Sequence, residues 1–339
     1  MKAVRFARHA FNVVAALALL AGCNANGNAP PLSGSVVPAN VRGLPARQRP
    51  IGHSWMRKPP KGTTGTIWAT DIDYASVDVI AYPSATLIGQ VAGFSYPYGD
   101  CSDKNGNVYV ADFSFGEGFE IQAGTTKIIN SWSTGETLGC SVSDGGDVAF
   151  TAYYPSGVWI FPNGGASGTF YAEPVGIAGY DPHGNLFAVC SNSGQCSSPR
   201  LAELPAGGNN WKFLNLNETL YFPGAVQNMG KYLGIAASNG RDGAGIALVA
   251  VSGSNATVKK TIVLNGEGCS SYMDDPSSWG SVSKQSNGVI ATKIKRLIAP
   301  NLWCFPSPIN IYKVKGGDPI GSITVEPSQY DYGVTFTKP

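Results

Sequence analysis

From about residue 65 to the end, hydrophobic and polar residues alternate in short runs separated by turn residues. "NVYVAD", "DVAFTA", "NLFAVC", "YLGIAA" and "GVIATK" are five of these runs. A period of two over so few residues predicts short β-strands rather than helices. Turn pairs precede most of them: Asn105-Gly106, Gly145-Gly146, His183-Gly184 and Asn287-Gly288. Such pairs accept positive φ and suit tight hairpins. A further set of runs follows, often closing on Pro or Gly: "VDVIAYP", "FEIQAG", "VWIFPNGG", "LAELPAGG", "ALVAVSG" and "INIYKVKGG". A last set reads "TLIGQVAG", "KIINSWS", "GTFYAE", "WKFLNL", "KKTIVL" and "GSITVE". No stretch of this region carries a convincing helical period.

The runs recur as a phrase. "YGDCSDKNGNVYVAD" from Tyr98 returns as "LGCSVSDGGDVAFTA" from Leu138, "VGIAGYDPHGNLFAV" from Val175 and "WGSVSKQSNGVIATK" from Trp279. Aligned on the opening glycine, the copies begin at Gly99, Gly139, Gly176, Gly224, Gly280 and Gly333. A bulky or turn residue precedes each: Tyr98, Leu138, Val175, Pro223, Trp279 and Tyr332. The intervals are 40, 37, 48, 56 and 53 residues. Four short strands per unit, repeated in series at this spacing, predict a β-propeller. A β-sandwich has no reason to repeat, and a β-helix repeats at shorter periods.

The last copy, "YGVTFTKP", holds only a first strand, whereas the first folded segment, "IWATDIDYASVDVIAYP" from Ile67, begins with a second strand. Together they complete one unit. The expected fold is therefore all-β: a six-bladed propeller of four-stranded blades, closed by the C-terminal strand inside the N-terminal blade. Closure of this kind removes open strand edges. The phrase built on Gly99, Asp103, Gly106-Asn107 and Val108 to Asp112 resembles repeats of the NHL type. It also resembles the wider six-bladed family of gluconolactonase-like and TolB-like propellers. The resemblance covers residues 67–339 as a repeat grammar. Copies are worn, and the fifth, "PGAVQNMGKYLGIAAS", lacks the Gly-Asn pair.

The N-terminus reads differently. A basic start (Lys2, Arg5, Arg8) leads into the apolar run "FNVVAALALLAG". That run is too short for a stable spanning helix and fits an export signal over residues 1–22. It ends in "LAGC", which resembles the bacterial lipobox; the resemblance implies lipidation of Cys23. By the same resemblance, Asn24 directs the product to the outer membrane, facing the periplasm or the cell surface. Residues 23–64 are rich in Pro, Gly, Asn and Ala and read as a flexible basic tether. Residues 1–63 hold nine of the 24 Lys and Arg and none of the 22 Asp and Glu, so the remainder is acidic. An acidic domain argues against nucleic acid as a partner. The expected form is a monomeric propeller, 65–339, anchored to a membrane.

In such a propeller the loops before strand one and between strands two and three gather on one face over the axial channel. Tyr98, Asp100, Asp112, Phe113, Tyr153, Tyr154, Asp274, Asp275, Trp279 and Tyr332 fall in those loops. Aromatics with a few carboxylates suit a glycan or an exposed protein segment; packing between blades is the alternative for the same side chains. The resemblance to lactonase and lyase propellers raises a second reading, a calcium-dependent hydrolase or lyase. Asp100, Asp274 and Asp275 are its candidate oxygen ligands. Of the three histidines, His9 lies in the signal, His53 in the tether, and His183 in a turn at the opposite end. No histidine-based acid–base pair is expected over the channel. No other cofactor is implied.

An exported protein meets oxidising conditions, so the remaining six cysteines invite pairing. Cys190–Cys196 would close one loop, and Cys269–Cys304 would pin two others. Cys101 follows its glycine by two residues and Cys140 by one. Side chains alternate across a strand, so these two point to opposite faces of their own blades, and hence toward each other. A Cys101–Cys140 bond between neighbouring blades is expected, the alternative being two buried free thiols.

Overall fold

In the computed structural model, residues 52–172, 177–190, 200–220, 224–238, 244–265, 296–300, 309–323 and 331–338 are described. Strands β2 (Gly65–Asp71), β3 (Ser76–Tyr82) and β4 (Thr86–Ala92) form an antiparallel meander. The C-terminal strand β24 (Asp331–Thr337) pairs antiparallel with β2, setting Ile67 opposite Phe336 and Ala69 opposite Val334. The first blade is thus completed from the far end of the chain, as the two half-units of the sequence require. Its outer edge differs from expectation. β1 (Trp55–Met56), inside the stretch read as tether, pairs with Gln90 and Gly89 of β4. Gly89 admits it, because a Cβ there would stand 2.9 Å from the Trp55 carbonyl oxygen. The added strand covers edge N–H and C=O groups that would otherwise be open to another chain.

The second blade is β5 (Pro97–Ser102), β6 (Val108–Asp112), β7 (Glu117–Ile121) and β8 (Ile128–Ser133). The third is β9 (Glu136–Val142), β10 (Val148–Tyr154), β11 (Gly157–Phe161) and β12 (Thr169–Ala172). The fourth is β13 (Gly179–Tyr180), β14 (Leu186–Cys190), β15 (Arg200–Leu204) and β16 (Lys212–Leu216). The fifth is β17 (Val226–Asn228), β18 (Leu233–Ser238), β19 (Ala244–Ser252) and β20 (Asn255–Leu264). A three-stranded sheet follows: β21 (Arg296–Pro300), β22 (Ile309–Lys313) and β23 (Gly321–Ile323). The antiparallel partner of β22 is Arg296–Pro300. It lies just beyond "GVIATK", the run expected in that role, which falls outside the described residues. Among the described residues the only helical piece is the 3-10 turn Pro162–Gly164.

Alternation along each strand sends side chains into two different apolar layers. Val108 and Val110 of β6 pack with Trp68, Val77 and Val79 of the first blade. Tyr109 and Ala111, one step out of phase, pack with Val142 and Phe150 of the third. Similar layers join the third blade to the fourth, the fourth to the fifth, and the fifth to the three-stranded sheet. The last layer brings Ile298, Ile309 and Ile311 against Ile67, Ile80 and Phe336, back in the first blade. Sheets buried on both faces and stacked in a closed succession are the architecture of an all-β propeller.

The recurring glycine marks where inner strands meet. A Cβ on Gly99 of β5 would stand 2.6 Å from the Leu138 carbonyl oxygen and 2.9 Å from Cα of Gly139 on β9. One on Gly333 of β24 would stand 2.9 Å from Cα of Gly99. In the fourth blade the close approach falls at Gly179, against the Val226 backbone of β17, three residues beyond the aligned Gly176. Gly176 and Gly280 lie outside the described residues. Hydroxyls complete the seams. Thr70 Oγ1 donates to the Tyr98 carbonyl and accepts from the Gly333 amide, at 2.8 and 2.6 Å. The Ser102 and Thr335 hydroxyls meet at 3.1 Å. Cys101 and Cys140 are joined as a disulfide, with Cα atoms 5.7 Å apart, in the apolar layer between the second and third blades.

Candidate functional site

Strand order places the starts of the inner strands and the loops between strands two and three at one end of the channel. The second strands of the first two blades end in aspartate, and both carboxylates are taken up by backbone amides of nearby loops. Asp71 Oδ1 accepts from the amides of Asp73 and Tyr74, at 2.9 and 3.1 Å. Asp112 Oδ2 accepts from the Ser95 amide at 2.6 Å, and Oδ1 from the amides of Tyr96 and Phe115 at 3.1 and 3.0 Å. Burial pushes the Asp112 carboxyl above its ordinary value, while the backbone donors pull the other way. This carboxylate shapes a turn; it does not stand open to a ligand.

The channel mouth at this end is packed. Tyr98 and Leu138 from the inner strands join Ile72, Tyr96, Ile177 and Ala225 in one buried cluster, with Phe113 and Tyr153 against it. Phe113 lies 6.4 Å from Tyr98 and 6.2 Å from Tyr153, ring centre to ring centre. The bulky residues before the repeat glycine therefore cap the axis with apolar surface. Asp100, on β5, is fully buried beneath them.

The residues expected on this face thus separate. Tyr98, Asp100 and Asp112 are buried, Tyr153 is half-buried, and Tyr154 is 72% exposed. Tyr74, in the equivalent loop of the first blade, is 46% exposed and was not among the expected residues. Asp274, Asp275 and Trp279 lie outside the described residues, as do Cys23, Cys196, Cys269 and Cys304; of Tyr332 and Cys190 only the strand positions are described. A calcium set drawn from Asp100, Asp274 and Asp275 therefore has one described member. Among the described residues, no three His, Cys, Asp or Glu side chains are grouped to hold a metal ion.

A second feature lies at the opposite end, to which the sequence assigned only His183 and no site. A cleft of about 220 Å³ opens between the fourth and fifth blades, lined by the loop at 181–183, Asn228, the turn at 230–232 and strand residues Phe187, Leu233, Val249 and Val251. Asp181 Oδ1 accepts from the amides of His183 and Asn185, both at 2.8 Å, and Oδ2 from Asn185 Nδ2 at 2.9 Å. Asn228 is 6% exposed, and its Nδ2 meets no acceptor among the described residues. A buried donor left so costs about 1–3 kcal/mol. Lys231 is exposed, with its Nζ 5.0 Å from the centre of the Tyr232 ring.

No family model and no curated protein matches the sequence. The fold is shared widely. A chain of a nidogen/laminin complex aligns with a TM-score of 0.58 at 13% identity, covering 80% of this chain and 98% of that one. A protein of unknown function from Bacteroides caccae aligns at 0.57 and 9% identity, covering 82% and 100%. TolB from Acinetobacter baumannii aligns at 0.54 and 11% identity, covering 82% and 68%. At these identities the likeness is one of fold, and it agrees with the sheet succession: the chain is an all-β propeller.

Proposed function

We propose that this is an exported envelope lipoprotein, anchored through Cys23, whose six-bladed propeller binds a protein partner on its loop face. The observation that carries the reading is the pairing of a packed channel mouth with outward-standing tyrosines. Tyr74 and Tyr154 keep 46% and 72% of their surface in water, while Tyr96 and Tyr98 are buried and Phe113 and Tyr153 half-buried. Amphipathic rings on a rigid base are typical anchors of a protein interface. Propellers of similar fold include a chain solved in a complex with a protein, the nidogen/laminin pair. The apolar cap also weakens the lactonase or lyase reading. A small polar substrate bound over the channel needs an open, polar well there, and the described part of the mouth offers aromatic side chains instead.

The test is affinity capture with the full-length protein, solubilised in detergent, from envelope extracts. A partner should be retained by the parent and lost with the double substitution Tyr74→Ser, Tyr154→Ser. A glycan array run beside it reports the other ligand class. Equal capture by the double variant, or retention of glycan alone, refutes the protein-binding reading. Fractionation of Cys23→Ala checks the anchor: the protein should move from the membrane to the soluble fraction.

A further inference from the structure

The cleft at the far end of the propeller arises from a local break in the repeat. In the fourth blade the first hairpin loop, residues 181–185, has the same length as those of the second and third blades and is held by Asp181 through its bonds to His183 and Asn185. In the fifth it is a short turn at residues 229–232, with the Met229 amide donating to the Tyr232 carbonyl at 2.8 Å. The cleft lies between these two hairpins, one residue different in length. The blades cannot close over it, because they are pinned on both sides. On the inner side the Gly179 position rests on the Val226 backbone. On the outer side β20 pairs in parallel with β16, joining Asn215 to Asn255 and Leu216 to Ala256, and making one eight-stranded sheet of the two blades. The gap is preformed, which reduces the ordering a ligand must impose.

We propose that this cleft binds a small organic carboxylate with an apolar body. The floor is hydrocarbon: Phe187, Leu233 and Val249 belong to the buried layer between the two blades, and Val251 packs against it. The polar lining comprises Asp181, His183, Asn228, Lys231 and Tyr232, and two of its groups are donors suited to an acid. Asn228, nine-tenths buried, carries an amide nitrogen with no acceptor. Lys231, held over the Tyr232 ring, stands at the rim with its charge. The one carboxylate in the lining, Asp181, is turned to its own loop, both oxygens accepting bonds there. A cation and an amide donor above apolar surface select an acid over an amine or a neutral analogue. A volume of about 220 Å³ lies below the roughly 300–1,000 Å³ of sites for drug-sized molecules, so the body holds no more than a ring or a branched chain.

The proposal stands apart from the loop-face reading, since it concerns the opposite end. The probe is 3-phenylpropanoate, titrated into the full-length protein in detergent and followed by saturation-transfer NMR, with 3-phenylpropylamine as the matched cation. The acid should bind and the amine should not. Lys231→Ala and Asn228→Leu should each weaken the acid about tenfold or more, the loss of one charge-assisted or buried bond. Lys231 is exposed, so its variant should melt like the parent and keeps the test sound if Asn228→Leu misfolds. Binding of the amine as tight as the acid, undiminished binding in Lys231→Ala, or no binding at millimolar acid would each overturn the assignment.

Discussion

Gly99→Ala is the sharpest probe of the ring. Gly99 does not occupy the left-handed region, so alanine is allowed there by the backbone and forbidden only by space. Its Cβ would stand 2.6 Å from the Leu138 oxygen and 2.9 Å from Cα of Gly139. Ordinary heavy-atom contacts lie near 3.5 Å or beyond, so the neighbouring strand must yield by roughly 0.6–1 Å. It is poorly placed to yield. Leu138 and Gly139 sit in β9, which is laddered to β10, and Cys140 is bonded to Cys101 two residues from the substitution. Overpacking of this kind costs about 1–3 kcal/mol, and with relaxation blocked on two sides the upper end applies. Loss of unfolded-state freedom returns at most about 1 kcal/mol, which leaves a net loss of about 2 kcal/mol. For a domain of this size that lowers Tm by roughly 4–8 °C. The assay is urea and thermal unfolding followed by tryptophan fluorescence. Gly145→Ala is the control: that glycine is exposed, has no left-handed requirement, and meets only Ser143 Oγ at 3.5 Å. It should stay within about 0.5 kcal/mol of the parent. A Gly99→Ala protein as stable as the control would mean that the inner strands do not approach as described. Gly333→Ala should show a similar loss at the neighbouring seam, where its Cβ would stand 2.8 Å from the Asp100 amide and 2.9 Å from Cα of Gly99; because β5 lies in both seams, the two losses should not simply add.

Deleting residues 330–339 removes β24 from between β2 and β5, and insoluble protein or a strongly lowered Tm is expected; a truncated protein melting like the parent would contradict closure. Replacing Cys101 and Cys140 together by alanine opens a link of sequence separation 39, and loop entropy puts the loss at about 3–4 kcal/mol, read as a shift of the urea midpoint. Asp78 is buried beside Asp71, and desolvation first, then that neighbouring charge, raises its pKa to about 7, against a bond from Gln90. A carboxyl with a raised folded value binds its proton more tightly in the native state, so stability should fall as pH rises from about 4 to about 7 and level off above. Asp78→Asn should abolish that slope and raise stability at pH 8 by roughly 2–4 kcal/mol; an unchanged slope would refute the assignment.

The scaffold was legible because its demands repeat. Every blade needs alternation into two apolar layers and a tight hairpin, and most keep a glycine where inner strands touch; the chain writes those demands in several copies. The opposite parity of Cys101 and Cys140 could be read from two positions relative to a repeated landmark. What could not be read was any feature that depends on one neighbour. Trp55–Met56 look like tether because two residues carry no period; they become a strand only where β4 offers an edge and Gly89 offers room. Arg296–Pro300 takes the place beside β22 against the expectation of the alignment, in a blade whose copy is worn. The candidate site was legible in part. Tyr154 was chosen from its loop, and there it stands exposed. Asp112 was chosen for its charge, but its oxygens accept from the backbone amides of Ser95, Tyr96 and Phe115, a role visible in the sequence only as aspartate ending a strand before a turn.

The two surfaces with features unexplained by the fold sit where the repeat fails. In the first two blades the second strand closes on aspartate, Asp71 or Asp112, and that residue ties down the loop beyond. The third blade has Ala152 at the corresponding place in "VAFTAYY", and there Tyr154 stands 72% exposed. In the second, third and fourth blades the first hairpin is organised by Asp103, Ser143 or Asp181 bonding back to the amide four residues on. The fifth blade has no such residue; its short turn carries Lys231 and Tyr232 and leaves the buried Asn228 facing a cleft. Residues that satisfy the repeat have their polar atoms engaged by the scaffold. Residues that break it keep polar atoms or apolar surface available, and a propeller shared by many unrelated activities can only be distinguished by such departures. Function in this chain is therefore to be sought at Tyr154 on one face, with the exposed Tyr74 of a blade that keeps its aspartate beside it, and at Asn228 and Lys231 on the other, rather than among the glycines and aspartates that recur.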